Sequence, residues 1–175
     1  GGRNTLKKTN NRFYQTATRT WTTGAVHTGI LLNSTTATSG VQGMTVTGNT
    51  IGYASNTQTG TYTLTGAGTG AKFVGITHNG ISTGAVSTIS NNTVAAVSLT
   101  GVTSSGTSTS SPFIGIFFQE GNGVTNNNTI GSQSTTGSLT FSTTTTSSTD
   151  VYGIYNFSSN AWTSNNNNVG GISVT

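Results

Sequence analysis

The stretch ISNNTVA, Ile89 to Ala95, decides how the rest of the chain is read. It returns as VTGNTIG from Val46, as VTNNNTIG from Val124, as TSNNNNVGG from Thr163 and, loosely, as KTNNRFY from Lys8. In each copy an amide pair, or Gly-Asn, stands just before an apolar residue. The second asparagine and its apolar follower give the pairs Asn11/Phe13, Asn49/Ile51, Asn92/Val94, Asn128/Ile130 and Asn167/Val169. Successive asparagines lie 38, 43, 36 and 39 residues apart. A second phrase recurs independently, as HTGILL from His27, FVGITH from Phe73, FIGIFF from Phe113 and VYGIYN from Val151. Its glycines, Gly29, Gly75, Gly115 and Gly153, are 46, 40 and 38 apart. A third, weaker phrase follows the asparagines, as TYTLTG from Thr61, AVSLTG from Ala96 and GSLTFS from Gly137. The order Gly-Ile, Asn-Asn, Thr/Ser-Leu never changes, and a fixed order at a period near 39 is the signature of a repeat architecture.

Each phrase is short, alternating and bounded by turn residues, so each reads as a strand. One such unit cannot bury its apolar side alone, whereas stacked units bury a continuous column. The expected fold is therefore all-β: a parallel β-helix of four to five repeats, about 39 residues each, with one enlarged side. Ile30, Ile76, Ile116 and Ile154 form one expected core column, and Phe13, Ile51, Val94, Ile130 and Val169 a second. Asn11, Asn49, Asn92, Asn128 and Asn167 are expected to form a ladder, each amide bonding those above and below, at a turn whose left-handed backbone asparagine tolerates. Gly29, Gly75, Gly115 and Gly153 are expected at a tight corner where a Cβ would meet the next coil.

The Gly-Ile phrase followed by VSTISNNTV or VTNNNTIG resembles the repeat of right-handed parallel β-helices. More closely, it is similar to the Thr/Ser/Asn/Gly-rich β-strand-repeat proteins of the Bacteroidota cell surface, many of them adhesin-like. The resemblance covers about residues 25–175, which read as the repeat region. Residues 1–24 read as a basic, degenerate first coil or a junction, and the whole as a section of a longer chain. It implies an extracellular structural or adhesin-type protein without catalysis, whose partners are neighbouring coils of the same or another copy and a surface glycan. The alternatives are a polysaccharide-degrading β-helix enzyme and an ice- or glycan-binding solenoid.

Composition narrows the chemistry. Charged residues are 5% of the chain, against roughly 25% in a typical globular domain. Five of the six basic residues, Arg3, Lys7, Lys8, Arg12 and Arg19, lie within the first 19 positions. The rest offers no basic surface interleaved with aromatics, so nucleic acid is not an expected partner. The absence of cysteine excludes disulfides and thiolate chemistry. No apolar run is long enough for a membrane-spanning helix. Glu120 and Asp150 are the only acidic side chains, hence the only pair a glycoside hydrolase reading can use. They flank Gly-Ile strands, and the sequence allows them to share a side on consecutive coils. His27 and His78 flank equivalent strands without a third ligand, so no metal or other cofactor is expected. In GAGTGAKF, from Gly66, the glycines lack the Gly-Lys-Ser/Thr ending of a phosphate loop. Aromatics cluster on the Gly-Ile strands, where GIFF must turn one ring outward. Hydroxyl residues recur on the third strand, as Thr61/Thr63/Thr65, Ser98/Thr100 and Ser138/Thr140/Ser142.

Overall fold

The computed structural model describes residues 6–20, 24–33, 42–66, 70–102, 106–144 and 148–175. Apart from a short 3-10 turn at Ser108–Ser110, the regular structure among them is β-strand. The first coil holds β1 (Lys7–Thr9), β2 (Arg12–Phe13), β3 (Arg19–Thr20) and β4 (Val26–Asn33). The second holds β5 (Thr45–Thr47), β6 (Thr50–Gly52), β7 (Tyr62–Thr65) and β8 (Lys72–Asn79). The third holds β9 (Ser87–Ser90), β10 (Thr93–Ala95), β11 (Val97–Val102) and β12 (Phe113–Glu120). The fourth holds β13 (Gly123–Asn126), β14 (Thr129–Gly131), β15 (Leu139–Thr143) and β16 (Val151–Asn156), and β17 (Trp162–Asn165), β18 (Asn168–Gly170) and β19 (Ile172–Val174) begin a fifth.

Every strand pairs in parallel with its counterpart one coil away, giving four sheets. They run β1-β5-β9-β13-β17, β2-β6-β10-β14-β18, β3-β7-β11-β15-β19 and β4-β8-β12-β16. The chain is a parallel β-solenoid of about four turns with a repeat near 39 residues. Its wall has four sides per coil, because the asparagine phrase is two strands around a corner. That corner always holds two residues: Asn10-Asn11, Gly48-Asn49, Asn91-Asn92, Asn127-Asn128 and Asn166-Asn167. The variation in repeat length falls on the other three corners.

Register turns the repeat into columns. Ile30, Ile76, Ile116 and Ile154 stand opposite one another, and so do Phe13, Ile51, Val94, Ile130 and Val169. The third sheet adds Leu64, Leu99, Phe141 and Val174. All but Val169 and Val174 meet in one interior cluster, in which Ile76, Val94, Leu99, Ile116 and Ile130 have no exposed surface; those two valines, on the last coil, are 46% and 54% exposed, because no further coil covers them among the described residues. Each buried aliphatic side chain contributes about 1.5–3 kcal/mol relative to solvent. The first coil departs from the pattern. Lys8 stands in register with inward Val46, and Arg19 with inward Leu64, yet both are exposed. Residues 7–20 thus pair as a coil, with Lys8 and Arg19 at positions that Val46 and Leu64 fill with core in the next coil.

The glycines of the Gly-Ile phrase lie inside long strands rather than at a turn. Along β12, Phe113 faces in, Ile114 faces out, Ile116 faces in, Phe117 faces out and Phe118 faces in. The alternation therefore slips by one at Gly115, and the β8–β12 register skips that position. A Cβ there would stand 2.4 Å from the Gly153 carbonyl oxygen and 2.8 Å from both γ-carbons of Ile130. Gly75 is as tight, at 2.4 Å from the Gly115 oxygen and 2.7 Å from Val94. Glycine is required because the fourth sheet bends onto the second there, leaving no room for a methyl group. Gly115→Ala is expected to destabilise the fold by at least about 2 kcal/mol through overpacking. Urea unfolding measures it, and an unchanged midpoint would show that the two sheets do not approach this closely.

Candidate functional site

The asparagine corner divides its work between two residues. The first of each pair has a left-handed backbone: φ is 55° at Asn10, 55° at Asn91, 53° at Asn127 and 53° at Asn166, with Gly48 at 68°. Asparagine and glycine are the residues that reach this region at least cost. The second residue turns its side chain into the stack, where Asn49, Asn92 and Asn128 are at most 1% exposed. From Asn11 to Asn49, Asn92, Asn128 and Asn167, each Nδ2 donates to the Oδ1 one coil on, at 2.9, 2.9, 3.0 and 2.9 Å. Each backbone N–H donates to the same oxygen, at 3.0, 3.0, 3.0 and 2.9 Å. The remaining amide proton of Asn49, Asn92, Asn128 and Asn167 returns to a backbone carbonyl of the preceding coil, on Lys8, Val46, Ile89 and Thr125. Each interior amide therefore ties three coils together and leaves none of its polar atoms bare, which burial demands. Aspartate has no donor for this pattern, and serine is too short to span it. The left-handed turn assigned to the ladder asparagine on sequence grounds belongs to the residue before it.

The two acids are not brought together. Val151 pairs with Phe113, which sets Asp150 beside the start of β12, whereas Glu120 is its last residue. Seven or eight strand residues at about 3.3 Å each separate them by more than about 20 Å. The glycosidase geometries need roughly 5–9.5 Å. Each carboxylate has a local partner instead: Asp150 Oδ2 accepts from the Tyr152 hydroxyl at 2.8 Å, and a Glu120 oxygen accepts from Asn160 Nδ2. Among the described residues no group of three or more His, Asp or Glu side chains could hold a metal ion.

The histidines also lie apart. His27 pairs with Phe73, and His78 pairs with Leu32 at the other end of the strands. His78 occupies a core position, 1% exposed and stacked on Phe118 with centroids 4.4 Å apart. Its Nδ1 lies 3.0 Å from the Glu120 carbonyl oxygen, which can only accept, so Nδ1 carries the proton. Nε2, 2.9 Å from Ser87 Oγ, then accepts the serine hydroxyl, whose oxygen takes the Met44 N–H at 3.1 Å. A Ser-His contact of this kind resembles a nucleophile with its base, but Ser87 has no exposed surface and no substrate can reach it. Ser87 belongs to none of the repeated phrases; alternation two residues before Ile89 is the signal that places it inward. Burial pushes the His78 pKa below the ordinary 6.5, against a smaller upward pull from the Glu120 carbonyl.

The outer face of the fourth sheet holds a second apolar cluster of Val74, Ile114 and Phe117, with Tyr152 and Tyr155 packed against it. The outward ring of GIFF is Phe117, and it is only 4% exposed. The segment around Ser108 reaches this cluster: the Ser108 N–H donates to the Tyr152 hydroxyl, and Ser108 Oγ bonds the Tyr155 hydroxyl. Of the aromatics on and beside the Gly-Ile strands, Phe73, Phe113 and Phe118 are interior, while Phe157, just past β16, is exposed beside Tyr155. Arg3 and the middle of the Gly66–Gly70 loop lie outside the described residues.

The chain matches no protein-family model, no curated protein and no solved structure. No helix among the described residues is long and apolar enough to cross a membrane.

Two measurements check this chemistry. Asn92→Ala strands buried donors and an acceptor, and is expected to cost about 3 kcal/mol. Asn91→Ala forces an alanine to positive φ and is expected to cost about 1–2 kcal/mol, while Asn91→Gly, the residue native at position 48, costs little. Equal losses for Asn92→Ala and Asn91→Ala in urea titrations would contradict the division of roles. The second is pH dependence. A histidine with a depressed folded pKa leaves the unfolded chain binding more protons below pH 6.5, so its contribution is complete above that value and is lost as pH falls below it. The loss approaches about 1.4 kcal/mol per pH unit for one site. His27, also lowered by burial and by Arg19, acts in the same direction. His78→Phe should therefore flatten, without abolishing, the decline in melting temperature between pH 7 and 5. An unchanged slope would show that His78 does not stay neutral in the fold.

Proposed function

We propose that this chain is an extracellular structural or adhesin-type solenoid, part of a cell-surface stalk, fibre or adhesive layer. The observation that carries the reading is the asparagine ladder, which runs without a gap from Asn11 to Asn167. Its cohesion acts along the axis and repeats identically at every coil, which suits a load-bearing or spacing element. Outside the apolar fourth sheet and the basic first coil, the outer wall is mostly uncharged Thr, Ser and Asn, a surface whose behaviour varies little with salt or pH. Each coil adds about 4.8 Å, so length is set by repeat number. A further coil, from this chain or another copy, would extend the ladder by the same bonds. A surface glycan is the expected contact for exposed rings such as Phe157. The resemblance to the adhesin-like repeat proteins of Bacteroidota supports the location. The polysaccharide-degrading alternative is disfavoured by the separation of Glu120 and Asp150.

The test is location on the producing cell. Antibody against the solenoid should label intact cells, and brief protease treatment of those cells should remove the antigen. Antigen confined to the cytosolic fraction would sink the proposal, and so would release of reducing ends from a polysaccharide that Glu120→Gln abolishes.

A further inference from the structure

The four outer faces differ in chemistry. The first sheet's outward files read Lys7-Thr45-Thr88-Val124-Thr163 and Thr9-Thr47-Ser90-Asn126-Asn165, mixing charge, methyl groups and amides. The second sheet has one outward file, Arg12-Thr50-Thr93-Thr129-Asn168. The fourth is apolar. The third presents two unbroken hydroxyl files, each over four of its five strands, Thr63-Ser98-Thr140-Ser173 and Thr20-Thr65-Thr100-Ser142. Within each strand, the residue between the two files, Leu64, Leu99 or Phe141, is buried, which fixes the hydroxyls outward.

From this face we infer an activity beyond the structural role: the outer face of the third sheet binds ice. The hydroxyl carriers repeat at about 4.8 Å across strands and about 6.6 Å along them. These two repeats approximate oxygen spacings in planes of hexagonal ice, where water is fixed and cannot turn to suit a mismatched surface. Threonine suits the task, since its methyl group sheds loose water while its hydroxyl joins the lattice. Charge would hold a disordered hydration shell; strands β7, β11, β15 and β19 carry none, and the sheet's one charged residue, Arg19, lies on its edge strand β3. Lattice matching also needs a flat sheet. Parallel strands ordinarily twist, and flat stacks rely on side-chain ladders. The asparagine ladder supplies one, because bonds of 2.9–3.0 Å at every step leave successive coils little freedom to rotate. The register shift between β11 and β15 falls after Thr100, beyond the files.

Ice-affinity partitioning of the full chain tests this: slow ice growth from dilute solution, with the protein in ice and in liquid measured. The wild type is expected to enter the ice. Thr100→Tyr and Thr65→Tyr, at the centre of the face, should lose that partition, whereas Thr88→Tyr on the first sheet should keep it. Folding of each variant is checked by its melting temperature, with Thr140→Lys replacing either variant that fails to fold. Exclusion of the wild type from ice would overturn the inference. Equal loss in Thr88→Tyr would overturn it too, as would binding to microcrystalline cellulose in place of ice. The surface-location experiment does not depend on any of these results.

Discussion

The structure depends on a buried amide that must find partners above and below itself. An asparagine carboxamide carries two donors and an acceptor, and burying them unpaired would cost several kcal/mol. In this chain the partners are the same residue of the next coil and a backbone carbonyl of the previous one. Those bonds form only if the coils stack in register with a constant rise. The ladder therefore sets the pitch, and the pitch brings isoleucine over isoleucine in the Gly-Ile column and apolar residue over apolar residue beside the asparagines. Hydrophobic burial supplies most of the driving force. The amides select the one alignment in which it is used.

Two other features follow from that alignment. A constant rise leaves the strand glycines facing the carbonyl of the next coil, so no side chain fits there. It also makes the outer faces into files whose chemistry is fixed by register. The third sheet becomes a hydroxyl grid, and the fourth an apolar patch contacted by the segment around Ser108. Loops enter at the other corners and vary freely in length, since none of them takes part in the ladder.

The fold was legible because the repeat is written in residues that stacking requires: an asparagine at one position, an apolar residue two places on, and a glycine before isoleucine. The columns followed from counting. Less legible was whatever depended on which face a residue takes after the alternation slips. From Phe113, strict alternation sends Phe117 inward and Phe118 outward; the slip at Gly115 reverses both. The same slip turns His78 into the core beside Ser87. The two acids looked close because both flank Gly-Ile strands, but one precedes its strand and the other ends it, which places the length of a strand between them. The division of the amide pair into a left-handed turn residue and a ladder residue was also hidden, since the letter is the same. Only VTGNTIG, with glycine in the first place, carried the hint.

Hydrogen exchange at the ladder tests the central claim most directly. The side-chain Nδ2 protons and backbone N–H of Asn49, Asn92 and Asn128 can be followed by NMR after transfer to deuterated solvent. If the ladder holds the coils in register, these protons exchange only through global unfolding, with the slowest core amides of β8 and β12. Exchange at the rate of exposed asparagine side chains would contradict the account, for it would mean that the coils stay stacked without the bonds assigned to them.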